Sequence, residues 1–176
     1  MRIIGGKYKG RIIGVSRYFK ARPTTDFAKE SLFNILSNVI DFEDVKVLDL
    51  FGGTGSISFE FASRGCTSID IVDLDSRSLK TIDEMAGNLG ITGMRTIRSD
   101  VFRYLKSCTD NYDIVFADPP YTLKELSILP DRVFGSSILN MDGRFILEHP
   151  KGLDFSGHPY FAEHRKYGNV NFSFFR

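Results

Sequence analysis

From residue 45 onward the chain alternates short apolar runs with stretches of helical periodicity, a rhythm that few folds accommodate. Segments 45–51, 68–73, 112–117 and 143–148 are short and carry apolar residues at consecutive positions. They read as strands covered on both faces. Segment 96–98 makes a weaker strand of the same kind, and 56–63, 76–89 and 100–106 read as helices between them. A strand that returns to its own sheet through a helix does so in parallel, with a right-handed crossover. The repeat therefore predicts a doubly wound, mainly parallel α/β sheet. Segments 159–163 and 170–175 alternate apolar and polar residues around Tyr167, Gly168 and Asn169, which predicts a closing antiparallel hairpin and a seven-stranded sheet.

Ahead of this domain, placed at 25–176, residues 1–24 read as a basic arm. Ile3-Ile4 and Arg11-Ile12-Ile13, joined through a glycine-punctuated loop, predict a small appended hairpin. Ala28, Leu32, Ile35 and Val39 recur at helical spacing, with Thr25 and Asp26 placed to cap a helix over 28–40. Arg2, Lys7, Lys9, Arg11, Arg17, Lys20 and Arg22 all precede the first acid, Asp26, so a segment of +7 stands ahead of a body of −6. That asymmetry suits a polyanion docked at one end, with Lys7, Lys9, Arg11, Arg17 and Arg22 as contacts. A solvated strand edge guarded by lysines would carry the same charge. The 176 residues, 42% of them hydrophobic, provide for one core. Cys66 and Cys108 stand far apart and outside zinc or redox spacings, and there is neither a leader-like nor a membrane-spanning apolar run. The expectation is a cytoplasmic monomer without metal and without membrane contact.

Asp49-Leu50-Phe51-Gly52-Gly53-Thr54-Gly55-Ser56 closes the first strand and opens a helix, where glycines permit a sharp turn and the helix start offers free N–H groups. Counting from Gly53, the third glycine of a dinucleotide fingerprint is missing, and no Walker lysine follows, so a ligand smaller than a polyphosphate is favoured. Asp73 ends the second strand about 20 residues beyond the glycines, the place of an acid that accepts from ribose hydroxyls. Asp75 reads as a cap for the next helix. Asp100, after the third strand, fits either an adenine amine or a helix cap. Ala117-Asp118-Pro119-Pro120-Tyr121 ends the fourth strand, in the crevice where open α/β sheets bind ligands. A carboxylate, two prolines without N–H groups and an aromatic make a rigid, acceptor-rich rim suited to an exocyclic amine. His149, His158 and His164 show no metal or triad spacing.

An acid before a glycine loop, acids after the second and third strands and Asp-Pro-Pro-Tyr after the fourth resemble the S-adenosylmethionine-dependent methyltransferases of exocyclic amines, whose fold is the Rossmann-like class I sheet. Arg2-Ile3-Ile4-Gly5-Gly6, Arg22-Pro23-Thr24-Thr25-Asp26, Glu30-Ser31-Leu32-Phe33-Asn34, Ser63-Arg64-Gly65 and Tyr167-Gly168 narrow the resemblance to the RsmD family, which methylates a guanine N2 in small-subunit ribosomal RNA. Departures are Lys29 for arginine, Gly53 for alanine, Asp73 for glutamate and Cys66 for a small residue. The resemblance implies S-adenosylmethionine held by Asp49, Phe51, Gly52, Gly53, Thr54, Gly55, Asp73 and Asp100. It implies catalysis by Asp118, Pro119, Pro120 and Tyr121, and ribosomal RNA or the small subunit as partner. Asp118 would align the amine and could also take its proton. Another exocyclic amine, such as adenine N6 or a protein glutamine amide, or a non-catalytic RNA-binding assembly factor are the competing expectations.

Overall fold

A computed structural model describes residues 2–14 and 25–176. Seven strands, β1 (Lys46–Leu50), β2 (Ser68–Asp73), β3 (Met94–Arg98), β4 (Tyr112–Ala117), β5 (Leu139–His149), β6 (Phe161–Tyr167) and β7 (Val170–Phe175), form one sheet in the order β3-β2-β1-β4-β5-β7-β6. The first five are parallel, and β7 runs antiparallel between β5 and β6. Helices α1 (Asp26–Leu36), α2 (Ser56–Ser63), α3 (Ser76–Leu89), α4 (Val101–Ser107) and α5 (Leu129–Gly135) complete the doubly wound α/β fold expected from the rhythm of the sequence.

The period of two along each strand sorts its residues into two cores. Val47, Ile71, Ile114, Phe116 and Ile146 pack on one side; Leu48, Leu50, Val115, Ala117 and Leu147 pack on the other. Helix starts are fixed by short polar side chains that accept orphan N–H bonds. Thr25 Oγ1 accepts from Ala28 N at 3.2 Å, Asp75 Oδ1 from Arg77 N at 3.0 Å, and Asp100 Oδ1 from Arg103 N at 2.9 Å.

Five boundaries differ from expectation, the smallest change being β3, which starts at Met94 instead of 96. The N-terminal hairpin is a single antiparallel bridge between Arg2 and Ile12. Helix α1 stops at Leu36, where Ser37 Oγ donates to Phe33 O at 2.7 Å and Asn38 Nδ2 to Asn34 O at 2.8 Å, turning side chains back onto the last carbonyls. Strand β5 begins at Leu139 instead of 143, and its pairing slips between Tyr112 and Ile114. Gly143 sits at that irregularity, where a Cβ would meet Asn140 O at 2.9 Å and Tyr112 O at 3.0 Å. Strand β6 is displaced toward Tyr167 because it is an edge strand with exposed charge, so apolar alternation does not mark it.

The basic segment docks through its backbone. Ile3 and Ile13 are buried in the first core, while Lys7 N donates to Ser63 O at 2.6 Å and Tyr8 N to Ser63 Oγ at 2.9 Å. Beneath it Lys29 (1% exposed) and Glu60 (0%) form an ion pair at 3.5 Å. Lys29 Nζ donates to Arg2 O and Ile4 N to Glu60 Oε1, both at 2.7 Å, and Arg64 pairs with the other Glu60 oxygen. Breaking a buried pair strands the surviving charge. Glu60→Ala is therefore expected to lower the unfolding free energy by about 3–5 kcal/mol, and the double change Lys29→Met with Glu60→Leu to recover much of it. Urea unfolding tests this, and an unshifted midpoint in Glu60→Ala would show that the pair is dispensable.

Candidate active site

A cavity of about 930 Å³ opens at the carboxyl ends of the strands, beside the point between β1 and β4 where the order of the sheet reverses. Each wall follows from a strand end. After β1 the chain turns sharply: Phe51 takes φ 62°, Gly53 φ 54° and Gly55 φ 73°. A left-handed conformation at a non-glycine residue such as Phe51 costs of order 1 kcal/mol and persists only where its surroundings impose it. Gly52 is pressed onto β2, where a Cβ would stand 2.2 Å from Ile71 Cγ2. Its N–H donates to Val72 O at 3.0 Å, which locks the loop against the next strand.

At the end of β2, Asp73 accepts from Gly53 N through Oδ2 and from Asp75 N through Oδ1, both at 2.8 Å. Two backbone donors thus fix the carboxylate at the cavity wall, and each oxygen keeps a further lone pair for a ligand. Asp75 caps α3, as expected, and Asp100 both caps α4 and lines the cavity. The helix-cap reading of Asp100 is met, and its place at the wall leaves it within the cavity as well.

Of the residues singled out for cofactor contact, Phe51, Gly53, Asp73 and Asp100 line the cavity, while Asp49, Gly52, Thr54 and Gly55 are not among its wall residues. Asp49 is buried and accepts from Ser58 Oγ at 2.5 Å. Burial pushes its carboxyl up to about 7, against the lowering effect of the Ser58 hydroxyl and with a smaller push from the charge of Asp73. Asp118, Pro119, Pro120 and Tyr121 all line the same cavity. The Asp118 carboxyl is raised well above the usual range by burial first, then by the charges of Glu148 and Asp49. Tyr121 is half exposed, and its hydroxyl donates to Glu148 Oε1 at 3.4 Å.

Several wall residues were not singled out from the sequence. Glu148 is buried at the end of β5. Thr25 and Phe27 come from the start of α1, and Phe27 meets Tyr167 edge to face at 5.9 Å. Strand alternation could have found Glu148, since it stands two residues after Ile146 as Asp118 does after Phe116. Phe27 gave no such signal. Lys7, Lys9 and Arg11 are exposed on the docked N-terminal segment, and Arg17 and Arg22 lie outside the described residues. Among the described residues no group of His, Cys, Asp or Glu is placed to hold a metal, and no helix is long and apolar enough to cross a membrane.

The family model for conserved hypothetical protein 95 matches residues 1–176. The chain belongs to the RsmD family. Ribosomal RNA small subunit methyltransferase D of Buchnera aphidicola is 34% identical over 124 residues, 69% of this chain and 61% of that relative, so the match spans less than two thirds of its length. YlbH of Bacillus subtilis is 32% identical over 158 residues, 88% of this chain and 85% of the relative. A solved Thermus thermophilus protein superposes with a TM-score of 0.86 at 27% identity, covering 100% of this chain and 99% of its own. A solved putative methyltransferase of Escherichia coli, yhhF, superposes with a TM-score of 0.86 at 25% identity over 99% of this chain and 96% of its own, and with the sheet order these likenesses give the RsmD-family chain the class I methyltransferase fold.

Because folding raises the Asp49 pKa, the folded state keeps a proton that the unfolded chain releases between about pH 4 and about pH 7. Its contribution to stability falls as pH rises through that window and is level above it. Asp49→Asn removes the effect, so its melting temperature relative to the parent is expected to climb from pH 4 to pH 7.5. A difference that does not change with pH would show that Asp49 titrates normally.

Proposed function

We propose that this protein transfers a methyl group from S-adenosylmethionine to the exocyclic N2 amine of a guanine in small-subunit ribosomal RNA. The observation that carries the reading is that the Asp-Pro-Pro-Tyr loop and the hydrogen-bonded Gly53–Asp73 pair line one and the same cavity. The cavity suits the cofactor. Asp73, held by two N–H donors, presents lone pairs to ribose hydroxyls, and Val101 and Phe102 offer apolar walls beside Asp100 for an adenine. The first turn of α2, which the glycine loop opens, has no side-chain cap, so its N–H groups remain as donors for a carboxylate. When bound, the cofactor supplies an electrophilic methyl group on a sulfonium.

The rest is work for the chain. Asp118 and the Pro119 carbonyl accept the two N–H bonds of the amine, draw its lone pair out of conjugation with the ring and aim it across the cavity. Positioning and fixed electrostatics provide most of the rate. Tyr121 stacks on the extruded base. The raised pKa of Asp118 fits it to take the proton that the amine releases after methyl transfer, since a carboxyl shifted toward neutrality is the better base. The exposed Lys7, Lys9 and Arg11 meet RNA phosphates.

Asp118→Ala is expected to lower turnover by several orders of magnitude with cofactor affinity nearly unchanged, and Asp73→Ala to weaken cofactor binding. Transfer of labelled methyl to small subunits from cells lacking the protein, followed by nucleoside analysis and cofactor titration, tests both. Full turnover in Asp118→Ala would sink the mechanism, and a product other than N2-methylguanosine would replace the acceptor.

Replacing Lys7, Lys9 and Arg11 with glutamine is expected to weaken RNA binding and to reduce the slope of log affinity against log salt by roughly 0.7–0.9 per lost contact. Ile3, Ile13 and the Ser63 contacts of the segment remain, so the melting temperature should stay in place. A slope equal to that of the parent would make these side chains a solvated edge.

A further inference from the structure

We propose that Glu148 selects guanine: its carboxylate accepts the N1–H of the base whose N2 amine meets Asp118. This rests on the guanine-N2 reading above and assigns it a residue.

Strands β4 and β5 are hydrogen-bonded parallel neighbours whose register ends with Ala117 opposite Leu147, so Asp118 and Glu148 occupy the next position. Phe116 and Ile146, two residues earlier, share one core, which sends Asp118 and Glu148 to the same face by the period of two. Neighbouring strands lie about 4.8 Å apart. Both side chains line the cavity, and the charge of Glu148 is felt at Asp118. The Tyr121 hydroxyl, 3.4 Å from Glu148 Oε1, ties the stacking ring to the same carboxylate. A base lying on Tyr121 therefore turns one edge to both acids.

That edge of guanine carries three N–H donors, two on N2 and one on N1. Asp118 and the Pro119 carbonyl take the first two, and Glu148 is the acceptor beside them for the third. Adenine presents a lone pair at N1, which would face a carboxylate with no proton between them. Buried acceptors opposed in this way are among the strongest grounds for rejecting an otherwise similar base.

The test uses a short RNA in which the methylated guanine is replaced by 2-aminopurine, which keeps the amine that receives the methyl group but has an acceptor at N1. The parent is expected to prefer guanine in kcat/KM by about 100-fold or more. Glu148→Gln, whose amide can donate to N1 of 2-aminopurine, should narrow that ratio about 10-fold or more. If its turnover falls below detection, competition binding of the same two RNAs reads the same ratio. Tyr121→Phe removes the hydroxyl contact and keeps the ring. Were Glu148 only a support for Tyr121, Tyr121→Phe would narrow the ratio equally; selection by Glu148 leaves the ratio at the parent value whatever happens to the absolute rate. An identical ratio in the parent and Glu148→Gln overturns the proposal while leaving guanine methylation standing. A parent that methylates no guanine overturns both.

Discussion

The pairing of β1 with β4 holds the site together. These two parallel strands are joined from Val47 opposite Ile114 to Leu50 opposite Ala117, yet the chain leaves them in opposite directions, toward β2 on one side and β5 on the other. The connections therefore diverge, and a crevice opens where no crossover can cover the sheet. The glycine loop leaves β1 and the Asp-Pro-Pro-Tyr loop leaves β4 at that one place. Asp73 and Glu148, ending the next strands outward, complete the two flanks. Shifting the β1–β4 register by one residue would turn every side chain of the strand to the opposite face, and Asp49 and Asp118 would exchange places with core residues.

Acidic groups gathered at this crevice oppose the folded state. Asp49 and Asp118 are both held above their ordinary pKa by burial, and neighbouring carboxylates push in the same direction. Nothing in the packing of a core requires this arrangement. Apolar residues there would serve stability better, and perturbed carboxyls gathered at a cavity mark a site shaped for chemistry. Phe51, left-handed without being glycine, belongs to the same pattern of local cost at the ligand wall.

Much of this was legible in the sequence for identifiable reasons. Strands buried on both faces must read as apolar runs, so β1, β2 and β4 were placed within a residue of where they lie. The loop after β1 could be read because few residues other than glycine tolerate its backbone. Strand β5 was only half legible: its first residues, with Met141 fully exposed, carry no burial signal. The buried charged residues carried no signal of their own. Lys29 and Glu60 look like the solvated faces of α1 and α2, and only their tertiary pairing across the N-terminal segment reveals them as interior. Phe27 carried no signal in the sequence, and it is 64% exposed at the cavity.

That buried pair changes how the basic segment relates to the site. Lys29 lies one turn into α1, and the same helix start brings Thr25 and Phe27 to the cavity wall. Its ammonium holds the Arg2 carbonyl, and its partner Glu60 holds the Ile4 amide from α2, the helix that the glycine loop opens. Segment, α1 and α2 are thus clamped around one desolvated ion pair. The charges of Lys7, Lys9 and Arg11 stand at exposed tips, whereas the contacts that orient the segment are backbone atoms beneath them. The charged tips take no part in the clamp, whereas the clamp joins the segment to the helix start that carries Thr25 and Phe27 to the cavity wall. The backbone that carries Lys7, Lys9 and Arg11 therefore keeps a fixed bearing to the cavity, and the distance between segment and cavity is set by the fold.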